Sequence, residues 1–102
     1  MGKIDILGLP FTVIQASPVS HSDSLAGLCE ANHLRITIDS NISPDFKCPV
    51  LLHEVIHAIL NNLGSDEKFS DEQFVTPLAA ALWQFLNANG LVDIDKWKSL
   101  LE

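Results

Sequence analysis

Between residues 34 and 39 apolar and polar side chains alternate: Leu34, Ile36 and Ile38 are separated by Arg35, Thr37 and Asp39. Strand side chains point to opposite faces with period two, so this segment predicts a strand with one buried face and one wet face. Residues 25–30 precede it across Ala31-Asn32, which predicts a hairpin with residues 33–39. Further upstream, Ile4, Ile6, Leu7, Phe11, Val13 and Ile14 are interrupted by Gly8-Leu9-Pro10, the pattern of two strand pieces joined by a bend or short hairpin. The polar run 17–24 between these units reads as a loop.

After residue 40 the pattern changes. Residues 40–44 are turn-like, and residues 50–63 are dense in Val, Leu, Ile and Ala. Proline suits the first helical position and disrupts an interior one, so this helix starts near Ser43-Pro44 or at Pro49. Gly64 follows as a C-terminal stop. Ser70 with Gln73 three residues on is a capping box, opening a second helix that runs to about Ala88 and ends at Asn89-Gly90. Pro77 falls inside it and predicts a local kink. Residues 94–101 predict a short last helix packed through Trp97, Leu100 and Leu101. Strands followed by helices indicate an α+β fold. The expectation is an N-terminal antiparallel sheet of about three strands, two packed helices and a short C-terminal helix. All of it forms one domain over residues 1–102.

Composition narrows the partners. Six Lys and Arg face thirteen Asp and Glu, a net charge of −7, and the basic residues Lys3, Arg35, Lys47, Lys68, Lys96 and Lys98 form no stripe. This argues against direct nucleic-acid binding and against an anionic membrane surface. No apolar run approaches a membrane span, and the start lacks the apolar stretch of a signal peptide. The two cysteines, Cys29 and Cys48, lack C-x-x-C spacing and read as inert thiols of a reducing compartment. A soluble, cytoplasmic protein is expected.

The chemistry lies in His53-Glu54-Val55-Ile56-His57, an H-E-x-x-H sequence within the apolar helix. Residues four apart share a helix face, so His53 and His57 can present two imidazoles to one ion, with Glu54 placed to reach a water on that ion. Polar groups inside an apolar helix need partners, and a divalent cation satisfies both histidines at once. A catalytic zinc takes three protein ligands and keeps one open position. No His follows His57, which excludes the metzincin pattern. The third ligand is then a carboxylate on the following helix. Glu72 is the first candidate because it leads Val75, Ala79 and Leu82 or Trp83 at helical spacing; Asp71 and Asp66 stand behind it.

These residues resemble a known family. Leu51-Leu52-His53-Glu54-Val55-Ile56-His57-Ala58, a loop, and then Glu72-x-x-Val75-x-x-Leu78-Ala79-x-x-Leu82 look like the small gluzincin-type metallopeptidase-like proteins of bacteriophages and prophages, distant relatives of the ImmA/IrrE-type peptidases. Residues 27–30 and 34–39 resemble that family's hairpin, so the likeness spans residues 25–88. Pro49 and Pro77 depart from it, standing where ordinary helix formers are expected. The resemblance implies Zn2+ held by His53, His57 and Glu72, Glu54 as the catalytic base, a peptide or protein substrate, and a location in a bacterial or phage-infected host cell. An oxyanion donor must come from His21, His33 or Arg35, since the chain has no Tyr, and the residues do not choose among them. An extended substrate would pair with the edge offered by residues 25–30 or 33–39. The alternative is a non-catalytic zinc protein in which the ion ties two helices together. Glu54 discriminates, because a purely structural site has no use for it.

Overall fold

A computed structural model of the chain describes residues 2–16, 26–64 and 72–101. Strands β1 (Gly2–Ile6) and β2 (Leu9–Ala16) form an antiparallel hairpin in which Ile6 pairs with Leu9. Its two-residue turn, Leu7-Gly8, takes positive φ at both positions, 53° and 85°, the combination that follows the twist of a tight hairpin. Asp5 Oδ1 accepts the Gly8 amide at 2.8 Å and closes the turn. Strands β3 (Gly27–Glu30) and β4 (Arg35–Asp39) form the second antiparallel hairpin, joined by a 3-10 turn at Ala31–His33 and by Leu34 at φ 50°.

The two hairpins join in a way their local patterns do not announce. The strand order is β1-β2-β4-β3, and β2 runs parallel to β4, with Val13 opposite Ile36. The sheet is therefore mixed and four-stranded, where an antiparallel sheet of about three strands was expected. A parallel pair requires a crossover of a dozen or more residues, which the stretch between Ala16 and Arg35 supplies. Position inside the sheet also dries Thr37, expected on the wet side: flanked by Ile14 of β2 and Leu28 of β3, it is 6% exposed.

Helix α1 (Pro44–Asn62) lies across the sheet. Of the two possible starts it uses the earlier: Ser43 caps it, its Oγ accepting the Asp45 amide at 3.4 Å, and Pro44 takes the first position. Pro49 is accommodated in the second turn. Gly64, at φ 73°, ends the helix by donating its amide to the Asn61 carbonyl at 3.1 Å. Cys48, Leu51, Val55 and Ala58, spaced three and four apart, pack on Ile6, Phe11, Val13, Ile36 and Ile38 of the sheet. The neighbouring stripe, Leu52 and Ile56, packs instead on Val75 and Ala79 of helix α2 (Glu72–Ala88). α1 is thus buried on two sides, which explains why it is apolar nearly all round; both ends emerge, with Phe46 in its first turn and Leu63 just past its last each 63% exposed.

Gly90, at φ 65°, ends α2 as expected. Pro77 lies within its second turn, and the Ser70 member of the expected capping box lies outside the described residues. Helix α3 (Ile94–Ser99) is capped by Asp93, whose Oδ1 accepts the Lys96 amide at 3.2 Å. It brings Trp97, Leu100 and Leu101 against the core, as its pattern predicts. Trp97 meets Trp83 of α2 edge-on, with ring centroids 5.5 Å apart. The Gln15 amide donates to the Leu101 carbonyl, tying the chain end to β2. Among the described residues, no helix is long and apolar enough to cross a membrane.

Candidate metal centre

His53 and His57 stand one turn apart on the side of α1 that neither the sheet nor the Leu52–Ile56 seam covers. Their Nε2 atoms are 3.2 Å apart and their rings tilt toward one another at 57°. α2 delivers the third group. Val75 and Ala79 lock into the seam three and seven residues beyond Glu72, so the first residue of α2 arrives over the two imidazoles. Glu72 Oε2 lies 3.1 Å and Oε1 3.4 Å from His53 Nε2, and Oε1 also contacts His57 Nε2. Trp83, rather than Leu82, completes the buried stripe that Glu72 leads. The reserve candidates Asp66 and Asp71 lie outside the described residues, as does His21.

Among the described residues these three side chains form a group able to hold a metal ion, with one donor atom from each lying within 4.8 Å of the others. An ion bonded at about 2.0–2.2 Å in tetrahedral geometry holds its ligands roughly 3.3–3.5 Å apart, close to the His53–His57 and His53–Glu72 spacings. Two imidazole nitrogens and a carboxylate brought within contact of one another are a donor set suited to a divalent cation. The histidine side chains are under one-fifth exposed, whereas that of Glu72 is 60% exposed, which leaves one side of the group open to solvent.

Glu54 is the buried member, 6% exposed. Burial pushes its carboxyl up to about 8, and the Glu72 charge adds to the shift. It lies against β3, where Gly27 makes room. A Cβ at Gly27 would come within 3.0 Å of Glu54 Oε2, 3.1 Å of its Cγ and 2.8 Å of Val50 Cγ1. Gly27 is a site residue that the motif reading missed. The available signal was a glycine inside a strand pattern, which marks a close approach of something else to the backbone.

A cleft of about 880 Å3 opens over the group. One wall is the run 26–33, containing edge strand β3; the opposite wall holds His53, Glu54 and His57 of α1 with Glu72, Thr76 and Ala80 of α2. His33 lines the cleft from the exposed 3-10 turn. Arg35 is turned to Glu30, its Nε and Nη2 both 3.0 Å from Oε1, so it is engaged in an ion pair at the hairpin. Cys29 also faces the cleft, its thiol pushed up to about 11 by burial and then by the Glu54 and Glu30 charges. Cys48 belongs to the core and stands apart from the site; both cysteines are free thiols. No protein-family model matches the chain, and no curated protein or solved structure matches it either.

Proposed function

We propose that the chain is a zinc-dependent metallopeptidase of the gluzincin type that hydrolyses a peptide bond in an extended segment of a protein partner. The observation that carries this reading is the pairing of a three-donor group with a buried carboxylate beside it, at the floor of an open cleft. A structural site would close its fourth position with another Cys or His, and would have no use for Glu54. His53, His57 and Glu72 are the ligands. Zinc bound there would supply Lewis acidity toward a water and toward the scissile carbonyl. Glu54 takes the proton of the attacking water and returns it to the leaving amine. β3, as an edge strand along the cleft, offers its backbone N–H and C=O groups to an extended chain. A bacterial or phage-infected cytoplasm belongs to the same reading.

The test separates metal from chemistry. Elemental analysis of purified protein is expected to give about one zinc per chain, lost in His57→Ala and Glu72→Ala and kept in Glu54→Gln. A protein-derived peptide mixture, read by mass spectrometry, is expected to be cut by the wild type and left intact by Glu54→Gln. Tight zinc without cleavage of any peptide would make the chain a metal-stapled binding module instead. Zinc retained in Glu72→Ala would refute the ligand set.

A further inference from the structure

The hydrogen bonds of β3 show which of its backbone groups are left over. The Asp39 amide donates to the Ala26 carbonyl at 2.8 Å, one step beyond the register that sets Leu28 against Thr37 and Glu30 against Arg35. Bonded and non-bonded pairs alternate along an antiparallel ladder, so Leu28 and Glu30 turn their N–H and C=O groups to β4. Gly27 and Cys29 turn theirs to the free edge, where no described residue pairs with them. The side-chain positions of the same two residues face α1: a Cβ at Gly27 would meet Val50 and Glu54, and Cys29 packs on the core between sheet and helix. Along this edge the cleft changes character. Glu30 lies three residues and about 10 Å beyond Gly27, and Asn61 lies seven residues and about 10 Å beyond Glu54, so the two ends of the cleft correspond. Beside Gly27 the lining is apolar, made by Pro49 and Val50; beyond Cys29 it carries Asn61 and His33.

We infer that the cleft selects its extended segment by the order of side chains: a hydrogen-bonding residue, any residue, then an apolar residue, running antiparallel to β3. The inference rests on the reading of the cleft as a peptide site and adds register and order to it. An antiparallel partner bonds through two residues spaced two apart, the first exchanging N–H and C=O with Cys29 and the second with Gly27. Their side chains then share the face of Gly27 and Cys29. The first looks toward Asn61 and His33, and the second lies over Pro49 and Val50. The residue between them turns its own N–H and C=O away from β3, toward the wall that holds His53, His57 and Glu72. Its carbonyl is therefore the one hydrolysed: the water's hydroxyl goes to that carbon, and its proton to the nitrogen of the apolar residue. Antiparallel pairing is selected because three residues then satisfy all four free groups of the edge. In a parallel partner the bonds slant, and the same four groups need five residues, more than the four of β3.

Two blocked peptides of one composition serve as probes, acetyl-Thr-Gln-Gly-Leu-Thr-amide and the reversed order acetyl-Thr-Leu-Gly-Gln-Thr-amide. Each is titrated to about 5 mM into the isotope-labelled, zinc-loaded Glu54→Gln chain, which cuts neither, and binding is read from backbone amide shifts. The first peptide is expected to move the Gly27 and Cys29 amides and to bind roughly tenfold more tightly than the second. Methylating its Leu nitrogen, which faces the Gly27 carbonyl, is expected to abolish binding; methylating its central Gly nitrogen is expected to leave binding intact. Adding Asn61→Ala, at an exposed position, is expected to shrink the preference between the peptides with unchanged far-UV circular dichroism. Equal affinity for the two peptides overturns the order. Sensitivity at the Gly nitrogen in place of the Leu nitrogen overturns the antiparallel register. Gly27 and Cys29 amides that stay still at the highest concentration overturn the proposal as a whole, even if some other peptide is cut. The zinc-loaded wild type is then given the first peptide. Cleavage between Gly and Leu supports both register and chemistry, whereas binding without cleavage refutes the peptidase reading and leaves the register standing.

Discussion

At Gly27 a missing side chain shapes the site as much as any that is present. Glu54 and Val50 occupy the volume where a Cβ would stand. Gly27→Ala is therefore expected to cost about 1–3 kcal/mol through overpacking, read as a lowered urea midpoint, and to lift Glu54 from its bed while the three ligands stay in place. Zinc content should hold and any peptidase activity should fall. Cys29 is the second residue with a measurable signature. Its thiol is raised from about 9 to about 11, so folded and unfolded chains are both neutral there below pH 9. Its contribution to stability is fully present in that range. Between pH 9 and 11 the unfolded thiol ionises while the folded one holds its proton, and stability is lost. The loss of urea midpoint across this window should be smaller in Cys29→Ser than in wild type, and equal losses would refute the assignment. His53, Glu54 and His57 were legible because their spacing is a property of one helix. Gly27 was not, because its reason lies on a different element that approaches it only in the fold.

At the scale of elements, α1 is the member that everything else uses. Its sheet-facing stripe and its α2-facing stripe are adjacent, and His53 and His57 occupy the strip left over. Glu72 depends on the second stripe, since α2 is held against α1 by Leu52, Ile56, Val75 and Ala79. Val75 is fully buried in that seam. Val75→Ala is expected to lower stability by about 2–3 kcal/mol. It should also weaken zinc binding several-fold, although Val75 touches no ligand; competition with a chromogenic chelator measures this. Unchanged affinity would mean that Glu72 is held by something other than the seam. Both hairpins and all three helices were readable from local signals such as Gly8, Ser43-Pro44, Gly64 and Gly90. The direction in which β2 meets β4 was not, because alternation states which face of a strand is buried and nothing about its neighbour's polarity. Thr37 was placed on a wet face for the same reason: a strand's position within the sheet is not encoded in its own pattern.

Across the whole molecule the three donors belong to two helices, so a bound ion acts as a clasp between α2 and the rest of the fold. A metal bound only by the folded chain stabilises it by about 4 kcal/mol at a thousandfold excess over its dissociation constant. For a domain of this size that corresponds to a melting shift of roughly 15–30 °C. A strong chelator is expected to lower the wild-type melting temperature by such an amount and to leave His57→Ala unmoved. A wild type indifferent to chelation would show that no ion contributes to the fold.

The parallel joint between β2 and β4 carries a consequence for how the chain reaches its native state. Each hairpin closes over a few residues and can form in microseconds, but an isolated two-stranded hairpin is marginal in water. The joint has to bring Val13 beside Ile36 across all the chain that separates β2 from β4, β3 included, and that closure entropy is spent before the sheet repays any of it. Neither hairpin alone offers α1 the continuous apolar floor formed by Phe11 and Val13 on one side and Ile36 and Ile38 on the other. Sheet and helix must therefore appear together, and the time at which Glu54 first meets Gly27 is set by the slowest strand pairing in the molecule.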